Sequence, residues 1–303
     1  MALRLLATFV ATGHALSLQS TAFLAPDIRF LARLNESLYV DRVNRDETKT
    51  DIGECSVPAG QVLFLHVMKT GGTSVDSFLA CHCERIGCSL KLSLGPYHEV
   101  HGVINTNCKA SICSTHGDYK DRKELCGDDF EHPHTVITAL REPVSRVFSF
   151  YNYQKEQGYD LPSIAEFYQE CDALKVDEMT TPKGWVCAGM TNHMVLNTFA
   201  NKEHVYSAEM DTDALNQAKG LVSKLNATFF LDDFDHFSEA FWQSSVISNT
   251  VVNPIHAPCE LGHSNPTECP TCAAAPTEAE VELIRKHNEM DIAFYNYAAS
   301  LPN

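Results

Sequence analysis

Hydrophobic residues cluster in three short runs along the chain, and each run is followed by polar or turn-forming residues. The runs are Val62–Leu65, Thr135–Leu140 and Ala227–Leu231. Short apolar runs without strict alternation are typical of strands that are buried on both faces of a parallel sheet. Stretches with helical spacing lie between and after these runs. The pattern therefore predicts an α/β fold in which a parallel sheet is flanked by helices.

Capping signals mark helix boundaries in the second half of the chain. Pro143 suits the first turn of a helix. The patterns Ser163-Ile-Ala-Glu166 and Thr277-Glu-Ala-Glu280 are capping boxes, which predict helices that begin just after them. The last of these helices is predicted to run towards Tyr297 and to pack on the core through apolar residues at helical spacing.

The N-terminal region has the composition of a leader and a stem. Residues 1–26 carry one charge, Arg4, and a moderately apolar run that is strongest at Leu5–Val10. This run is short for a membrane span and is typical of a signal peptide, with a weak signal anchor as the alternative. Residues 27–58 are polar and charged, which predicts a stem. Residues 59–303 are then the folded domain.

Length, composition and charge limit the function. The chain has 303 residues, and 44% of them are hydrophobic, which is enough for one large domain with its own core. Its formal net charge is −16, and its isoelectric point is near 5.2. Nucleic acids are bound through basic surfaces, so this charge argues against a nucleic-acid-binding protein.

Cysteine is abundant, with 12 residues in the chain. An even number of cysteines behind a leader predicts disulfides formed in an oxidising lumen, but the pairing does not follow from the sequence. Two groups also have the residue types of a zinc site, and disulfides are the preferred interpretation for both. These groups are Cys81, His82, Cys83 and Cys88, and Cys259, His263, Cys269 and Cys272. Two sequons, at Asn35 and Asn226, permit N-glycosylation.

The first group of candidate binding residues follows the first apolar run. It consists of Lys69, Thr70, Gly71, Gly72, Thr73 and Ser74. A strand, a glycine turn and a helix in this order aim free backbone N–H groups at a phosphate, and the glycines let the anion approach closely. The hydroxyls of Thr73 and Ser74 add further donors, and Lys69 adds a mobile positive charge. A Walker A loop has its lysine after the glycines, so this segment is not one. A plain glycine turn at a helix start is the alternative.

A second group follows the second apolar run. Arg141 lies at the carboxyl end of the predicted strand, where open α/β sheets bind ligands. Ser149 lies about two helical turns further along the helix that Pro143 begins. The structural alternative is that Arg141 pairs with Glu142. Arg146 could also contact the ligand, but a surface ion pair explains this residue equally well.

The motifs resemble those of a known family. His66-x-x-Lys-Thr-Gly-Gly-Thr73 resembles the 5′-phosphosulfate loop of Golgi-type carbohydrate sulfotransferases, and it is most similar to the heparan sulfate 6-O-sulfotransferase branch. Leu140-Arg-Glu-Pro-Val-Ser-Arg146 resembles the family's 3′-phosphate element. Cys113-Ser-Thr-His-Gly-Asp118 resembles the segment that carries the family's catalytic base. The resemblance covers roughly Gln61 to the C-terminus.

The resemblance implies a fold and a reaction. The implied fold is a P-loop-like parallel sheet flanked by helices. The implied reaction moves a sulfuryl group from 3′-phosphoadenosine 5′-phosphosulfate (PAPS) to an acceptor hydroxyl, and a carbohydrate is the favoured acceptor. The segment Lys69–Ser74 would bind the 5′-phosphosulfate, and Arg141 with Ser149 would bind the 3′-phosphate. Lys69 would also stabilise the bridging oxygen as charge develops there, so no metal is required.

The resemblance assigns the catalytic base to His116, with His98 and His101 as alternatives. A histidine titrates in the range that is needed to accept a proton from a hydroxyl. His116 lies in a segment, residues 90–129, that has no strong hydrophobic period. In the stretch where the family has acceptor-contacting arginines, this chain has His193 and Leu196, which makes a heparan-type acceptor a poorer fit.

The resemblance also implies a location in the Golgi lumen, with the N-terminal segment as leader or membrane anchor. Secretion is one alternative. A plastid is another, because Ser20–Pro26 resembles the junction in bipartite plastid leaders. Two other functions stay open. One is a phosphotransferase that binds ATP at the same loop and holds magnesium with carboxylates, and the other is a secreted, disulfide-rich binding protein without turnover.

Overall fold

The computed structural model describes residues 61–76, 79, 89–93, 99–100, 111–115, 126–131, 133, 135–174, 181–200, 202, 205–231 and 275–302. The predicted leader and stem lie outside these residues. So do the three candidate base histidines, His98, His101 and His116, and both cysteine groups that could bind zinc. What the sequence predicts for them stays a prediction.

The described strands form one six-stranded sheet. In chain order they are β1 Gln61–Leu65, β2 Ser89–Ser93, β3 Glu99–Val100, β4 Ser111–Thr115, β5 Thr135–Leu140 and β6 Ala227–Phe230. Across the sheet the order is β3-β2-β4-β1-β5-β6, and all neighbours are parallel except β2 with β3. The predicted α/β class with a parallel sheet is confirmed.

β1 lies between β4 and β5 and is apolar on both faces. Leu63 is paired with Cys113 on one side and with Val136 on the other. The side chains of β1 from Val62 to Leu65 are at most 3% exposed. Strands that are covered on both faces have the continuous apolar runs that the sequence contains.

Helices flank the sheet in the described part of the chain. The first, α1, follows β1 and is described at residues 72–76 and 79. The others are α2 Pro143–Glu156, α3 Ile164–Asp172, α4 Pro182–Met190, α5 Thr212–Val222, α6 Glu278–His287 and α7 Glu289–Ala299. A π-helix, Met194–Phe199, follows α4, and a short 3-10 helix, Asp128–Phe130, precedes β5.

The predicted helix starts are confirmed. Pro143 is the first residue of α2. The side chain of Ser163 accepts from the amide of Glu166 at the start of α3, and the Glu166 carboxylate accepts from the Ser163 amide in return. Thr277 and Glu280 form the same reciprocal box at α6. Each box satisfies amide groups that the first helical turn leaves without an intrahelical partner.

The predicted C-terminal helix is two helices, because the chain bends at Asn288. The Nδ2 group of Asn288 donates to the carbonyl oxygens of Ile284 and Met190, at 2.9 and 3.0 Å. Its Oδ1 atom accepts from the amide of Asn192 at 2.9 Å. These bonds connect the end of α6 to the segment between α4 and the π-helix.

Two apolar clusters hold the helices in place. In one, Leu63 and Leu65 of β1 and Leu140 of β5 pack with residues of the π-helix, α5 and α7. The other cluster joins α2, α3, α4 and α6, and it includes Phe150, Phe167 and Ile284. Because α2 follows β5 directly, the second cluster fixes the direction in which the chain leaves the sheet at Arg141.

Two disulfides are present among the described residues. Cys113 in β4 is bonded to Cys126, and Cys171 in α3 is bonded to Cys187 in α4. These bonds confirm the prediction of disulfides, while the secretory route stays a prediction. In the part of the chain that the structure describes, no helix is both long enough and apolar enough to cross a membrane.

We expect most of the 12 cysteines to resist alkylation in the native protein. The described disulfides span 13 and 16 residues, so the loss of either is expected to destabilise the fold by about 3 kcal/mol. Mass spectrometry after alkylation without reduction should recover both pairs as linked peptides. If nearly all thiols were alkylated, the oxidising compartment would be wrong, and zinc binding at Cys259, Cys269 and Cys272 would become the better interpretation.

Candidate functional site

The loop between β1 and α1 has a tightly constrained backbone. Lys69 and Gly71 both have positive φ angles, 63° and 81°. A positive φ is uncommon for a residue with a side chain, and such strain is concentrated at binding sites. The carbonyl of Gly71 accepts from the amides of Ser74 and Val75, which starts α1. Within the described residues, the amides of Gly72 and Thr73 have no acceptor in the protein and are available to an anion.

The threonine and serine side chains of the loop have different roles. Thr70 is fully buried, and its hydroxyl donates to the carbonyl of Val67 at 2.8 Å. Its side chain therefore stabilises the loop rather than contacting a ligand, and any contact from Thr70 to an anion is through its backbone. Ser74 is 3% exposed, whereas Thr73 is partly exposed. Of the two predicted hydroxyl donors, Thr73 is the better placed.

A buried histidine lies under the loop and explains one of its two glycines. A Cβ atom on Gly72 would lie only 2.0 Å from Cδ2 of His66. The His66 ring is fixed, because its Nδ1 atom is 2.8 Å from Oδ2 of Asp76 and the ring stacks on Phe64. The glycine is thus required by the protein's own packing, and its lack of a side chain also leaves the loop amide uncovered.

Lys69 is partly buried and lies beside an aromatic ring. Its Nζ atom is 4.3 Å from the centroid of Tyr153 in α2, which is a cation–π contact. Burial, together with the nearby charge of Arg141, lowers the pKa of Lys69 to about 8, and Glu156 opposes the shift. At neutral pH the ammonium is therefore mostly charged, and it is a stronger acid than an ordinary lysine.

Arg141 leaves the carboxyl end of β5 next to the loop. Its Nη1 atom donates to the carbonyl of Lys69 at 3.4 Å. Burial lowers the pKa of its guanidinium, and the charge of Glu142 opposes that shift. The alternative in which Glu142 pairs with Arg141 is not what the geometry favours, because the Glu142 carboxylate accepts from the amide of Ser145 and caps α2.

The strand order explains why these two cations meet. The chain leaves β1 towards β2 on one side of the sheet and leaves β5 towards β6 on the other. Neighbouring strands whose connections diverge in this way leave a crevice at their carboxyl ends, and ligands of open α/β sheets bind there. Among the described residues, neither Lys69 nor Arg141 forms an ion pair. Within the described part of the chain, the crevice therefore holds two cations that have no direct ion-pair partner, although Glu156 and Glu142 lie close enough to act on their charges.

Ser149 lies on α2, one helical turn before Tyr153. It is partly exposed and shares the face of the helix that Tyr153 turns towards the loop. The position is compatible with the predicted contact to a phosphate. Tyr153 itself is not among the residues that the motifs identify, although its spacing from Ser149 is the one signal that could have indicated it.

Arg146 is not a surface residue, so its interpretation as half of a surface ion pair is wrong. Its side chain is fully buried, and its Nη1 atom donates to the carbonyl of Gly189 at 2.9 Å. Its Nη2 atom lies 3.8 Å from Oδ2 of Asp291, which is also fully buried. Arg146 therefore connects α2 with α4 and α7 and does not face the crevice.

His116 lies outside the described residues, but the residue before it is placed. Thr115 ends β4, and its carbonyl accepts from the amide of His66 at 2.8 Å. Thr115 therefore lies at the carboxyl edge of β4, the strand beside β1. The role of His116 as the base stays a prediction. Among the described residues, no group of three or more His, Cys, Asp or Glu side chains is placed to hold a metal ion.

No protein-family model matches the chain, and no curated protein matches its sequence.

Proposed function

We propose that the protein is a PAPS-dependent sulfotransferase that acts on an acceptor hydroxyl, with a carbohydrate as the favoured acceptor. One observation carries the proposal: Lys69 and Arg141 lie together at the diverging strands β1 and β5, without an ion-pair partner among the described residues. Beside them are the amides of Gly72 and Thr73, which have no acceptor among the described residues. Such a crevice favours a ligand with more than one anionic group.

The residues of the crevice fit a nucleotide that is phosphorylated at both ends of its ribose. Lys69 and the amides of Gly72 and Thr73 would bind the 5′-phosphosulfate. Arg141 and Ser149 would bind the 3′-phosphate, as in the family that the motifs resemble. Two anion sites on neighbouring strands also explain why the chain has two motifs, the glycine loop after β1 and the arginine segment after β5. A site for an ordinary mononucleotide would not require the second motif.

Lys69 is suited to the transfer step. With a pKa of about 8, its ammonium can donate a proton or a strong hydrogen bond to the bridging oxygen as the bond from that oxygen to sulfur breaks. A base on the other side accepts the proton of the acceptor hydroxyl while the new oxygen–sulfur bond forms, and His116 is the predicted base. Adenosine 3′,5′-bisphosphate is then the leaving product.

The region around the π-helix supports an acceptor that is not a polyanion. His193 is 9% exposed and Leu196 is 1% exposed. At the corresponding positions, the sulfotransferase family that the motifs resemble has arginines. Neither side chain can present a cation to a sulfated polysaccharide in the way an exposed arginine would. A neutral glycan, a protein tyrosine or a small hydroxylated metabolite is therefore the better class of acceptor to test.

A transfer assay tests the proposal directly. The purified chain is incubated with PAPS that carries labelled sulfur, and in parallel with ATP labelled at the γ-phosphate, against a panel of neutral glycans, tyrosine peptides and small alcohols. We expect label to move only from PAPS. Transfer from ATP would instead support the phosphotransferase, and tight binding of the nucleotide without transfer to any acceptor would support a non-catalytic binding protein.

Arg141→Ala is expected to weaken binding of adenosine 3′,5′-bisphosphate by about 1.5–3 kcal/mol, because one charge-assisted contact to the 3′-phosphate is lost. Binding of AMP, which has no 3′-phosphate, should change little. Isothermal titration calorimetry with both nucleotides measures the difference. Arg285→Ala is the matched control, because Arg285 is an exposed arginine that pairs with Glu282 on α6. Equal affinity of the wild-type protein for the two nucleotides would contradict the assignment.

Binding of adenosine 3′,5′-bisphosphate is expected to weaken as the pH rises above about 8, which is the pKa of Lys69 in the free protein. A bound anion raises this pKa, so above pH 8 the complex takes up a proton and the affinity falls by roughly tenfold per pH unit. Below pH 8 the lysine is already charged, and no uptake is expected. The phosphates do not contribute, since they are fully ionised in this range.

Calorimetry in buffers with different ionisation enthalpies measures the proton uptake. The charges that face Lys69 from the neighbouring elements are those of Arg141 and Glu156. Lys69→Arg keeps the positive charge but has no proton to exchange in this range, so the uptake should disappear. An unchanged proton uptake in this variant would assign the effect to another group.

A further inference from the structure

The second sequon of the chain, Asn226-Ala227-Thr228, lies in a turn of the described structure. Asn226 follows α5, and Ala227 begins β6. The Asn226 side chain is exposed, whereas Thr228 is partly covered and its backbone is in register with Thr138 of β5. The proposed sulfotransferase chemistry uses none of these residues.

Among the described residues, the carboxamide of Asn226 is anchored through its oxygen. The amide of Val136 donates to Oδ1 of Asn226 at 2.7 Å, and the amide of Asn226 donates back to the carbonyl of Val136 at 2.8 Å. Within the described residues, Nδ2 has no hydrogen-bond partner. The side chain is thus held in one orientation, and its nitrogen is the polar atom that the described part of the fold leaves unbonded.

The location of Asn226 keeps a bulky substituent away from the candidate site. Val136 is at the amino end of β5, and Arg141 follows its carboxyl end. At about 3.3 Å per residue, these two positions lie roughly 16 Å apart along the strand. A group attached at Asn226 therefore lies at the edge of the sheet opposite to the loop with Lys69.

We propose that Asn226 carries an N-linked glycan. The donor is a lipid diphosphate-linked oligosaccharide. Nδ2 of Asn226 forms a bond to the anomeric carbon, the bond from that carbon to the lipid diphosphate oxygen breaks, the diphosphate leaves with the electron pair, and Nδ2 loses one proton. The inference requires that the predicted leader directs the chain into the lumen of the secretory pathway. It does not require that the chain transfers sulfate.

The folded structure accommodates the product as well as the unmodified side chain. A glycosylated carboxamide keeps its carbonyl oxygen, so Oδ1 can still accept from Val136. The hydroxyl of Thr228 must be accessible when the sugar is attached, because the acceptor sequence is recognised as Asn-x-Ser/Thr. In the folded protein Thr228 is part of β6. The transfer therefore precedes the pairing of β6 with β5.

Two substitutions at position 228 test for the glycan without changing the hydrogen bonds of Asn226. Thr228→Ser and Thr228→Ala both shorten the same side chain in β6, and both leave Asn226 and its bonds to Val136 in place. Only the serine variant keeps the sequon. Each is made in full-length chains that also carry Asn35→Gln, so that the other sequon contributes no glycan.

The proteins are produced in a eukaryotic cell, and the whole chain is recovered and treated with peptide N-glycosidase in heavy-oxygen water. The Asn35→Gln protein and its Thr228→Ser form are expected to gain mobility on deglycosylation, and the peptide with Asn226 should appear as labelled aspartate. The Thr228→Ala form should show neither change. An unmodified Asn226 in protein recovered from the lumen would overturn the proposal. A chain that never enters the lumen and carries no glycan would overturn it as well.

Discussion

Arg146→Met is expected to destabilise the fold by about 3–5 kcal/mol, the largest effect of any single substitution considered for this chain. Arg146 and Asp291 are both fully buried. Burial alone raises the pKa of Asp291, and the charge of Arg146 and two backbone amides oppose that shift. Methionine fills a similar volume but leaves the carboxylate without a counter-charge in an apolar environment.

The damage is expected to extend beyond the pair. Asp291 accepts from the amides of Met194 and Val195, at 3.0 and 2.9 Å, at the start of the π-helix. Arg146 also donates to the carbonyl of Gly189 at the end of α4. The substitution therefore weakens the junction between α2, α4, α7 and the π-helix. Urea denaturation measures the loss as a lower midpoint with an unchanged slope.

Two further variants identify the cause of that loss. Arg285→Met removes an arginine from an exposed pair with Glu282, whose side chains are 55% and 68% exposed, and should cost about 0–1 kcal/mol. Adding Asp291→Asn to Arg146→Met removes the unpaired charge and keeps an oxygen for one of the two backbone amides. Because the buried charge is the larger cost, the double variant should be more stable than Arg146→Met alone. If Arg146→Met cost no more than Arg285→Met, the buried pair would not stabilise the fold.

Gly72→Ala is expected to destabilise the fold by about 1–3 kcal/mol through overpacking. It should also weaken binding of adenosine 3′,5′-bisphosphate by roughly tenfold or more, since that is the loss of one charge-assisted contact. The added methyl group would lie 2.0 Å from Cδ2 and 2.1 Å from Nε2 of His66. His66 cannot move aside without breaking its contact with Asp76, so the loop must shift.

The matched control for this prediction is Gly220→Ala. Gly220 is in α5, and a Cβ atom there has no neighbour within 4 Å. Alanine is a better helix former than glycine, so this variant should be neutral or more stable by up to about 1 kcal/mol. Calorimetry and urea denaturation are applied to both variants. Wild-type affinity in Gly72→Ala would show that the loop does not contact the nucleotide.

The sequence predicts those parts of the fold whose physical signal is local. β1 and β5 are continuous apolar runs, and their burial on both faces is what such runs indicate. Capping boxes at Ser163 and Thr277 depend on residues three positions apart, so they are visible without any tertiary information. The loop at Lys69–Ser74 and the position of Arg141 after β5 belong to this class.

Other features depend on contacts between distant residues and could not be predicted. β2 and β4 lie in the segment without a hydrophobic period, and they are strands because they pair with each other and β4 pairs with β1. The surface interpretation of Arg146 was wrong because its partner, Asp291, is far away in the chain. Likewise, no local pattern shows that His66 occupies the space beside Gly72 or that Tyr153 lies beside Lys69.

The strand order has a consequence for how the protein is made. β1 is synthesised first among the described strands, but Gln61 is paired with Ser111 and Val62 with Thr135. At about 5–20 residues per second, roughly 4–15 s pass between the synthesis of β1 and that of β5. Until β4 and then β5 emerge, the most apolar strand lacks one or both of its neighbours and is exposed to chaperones or to aggregation. The loop with Lys69 can reach its native arrangement only after Arg141 has emerged, so any chain that ends before that residue lacks the site altogether.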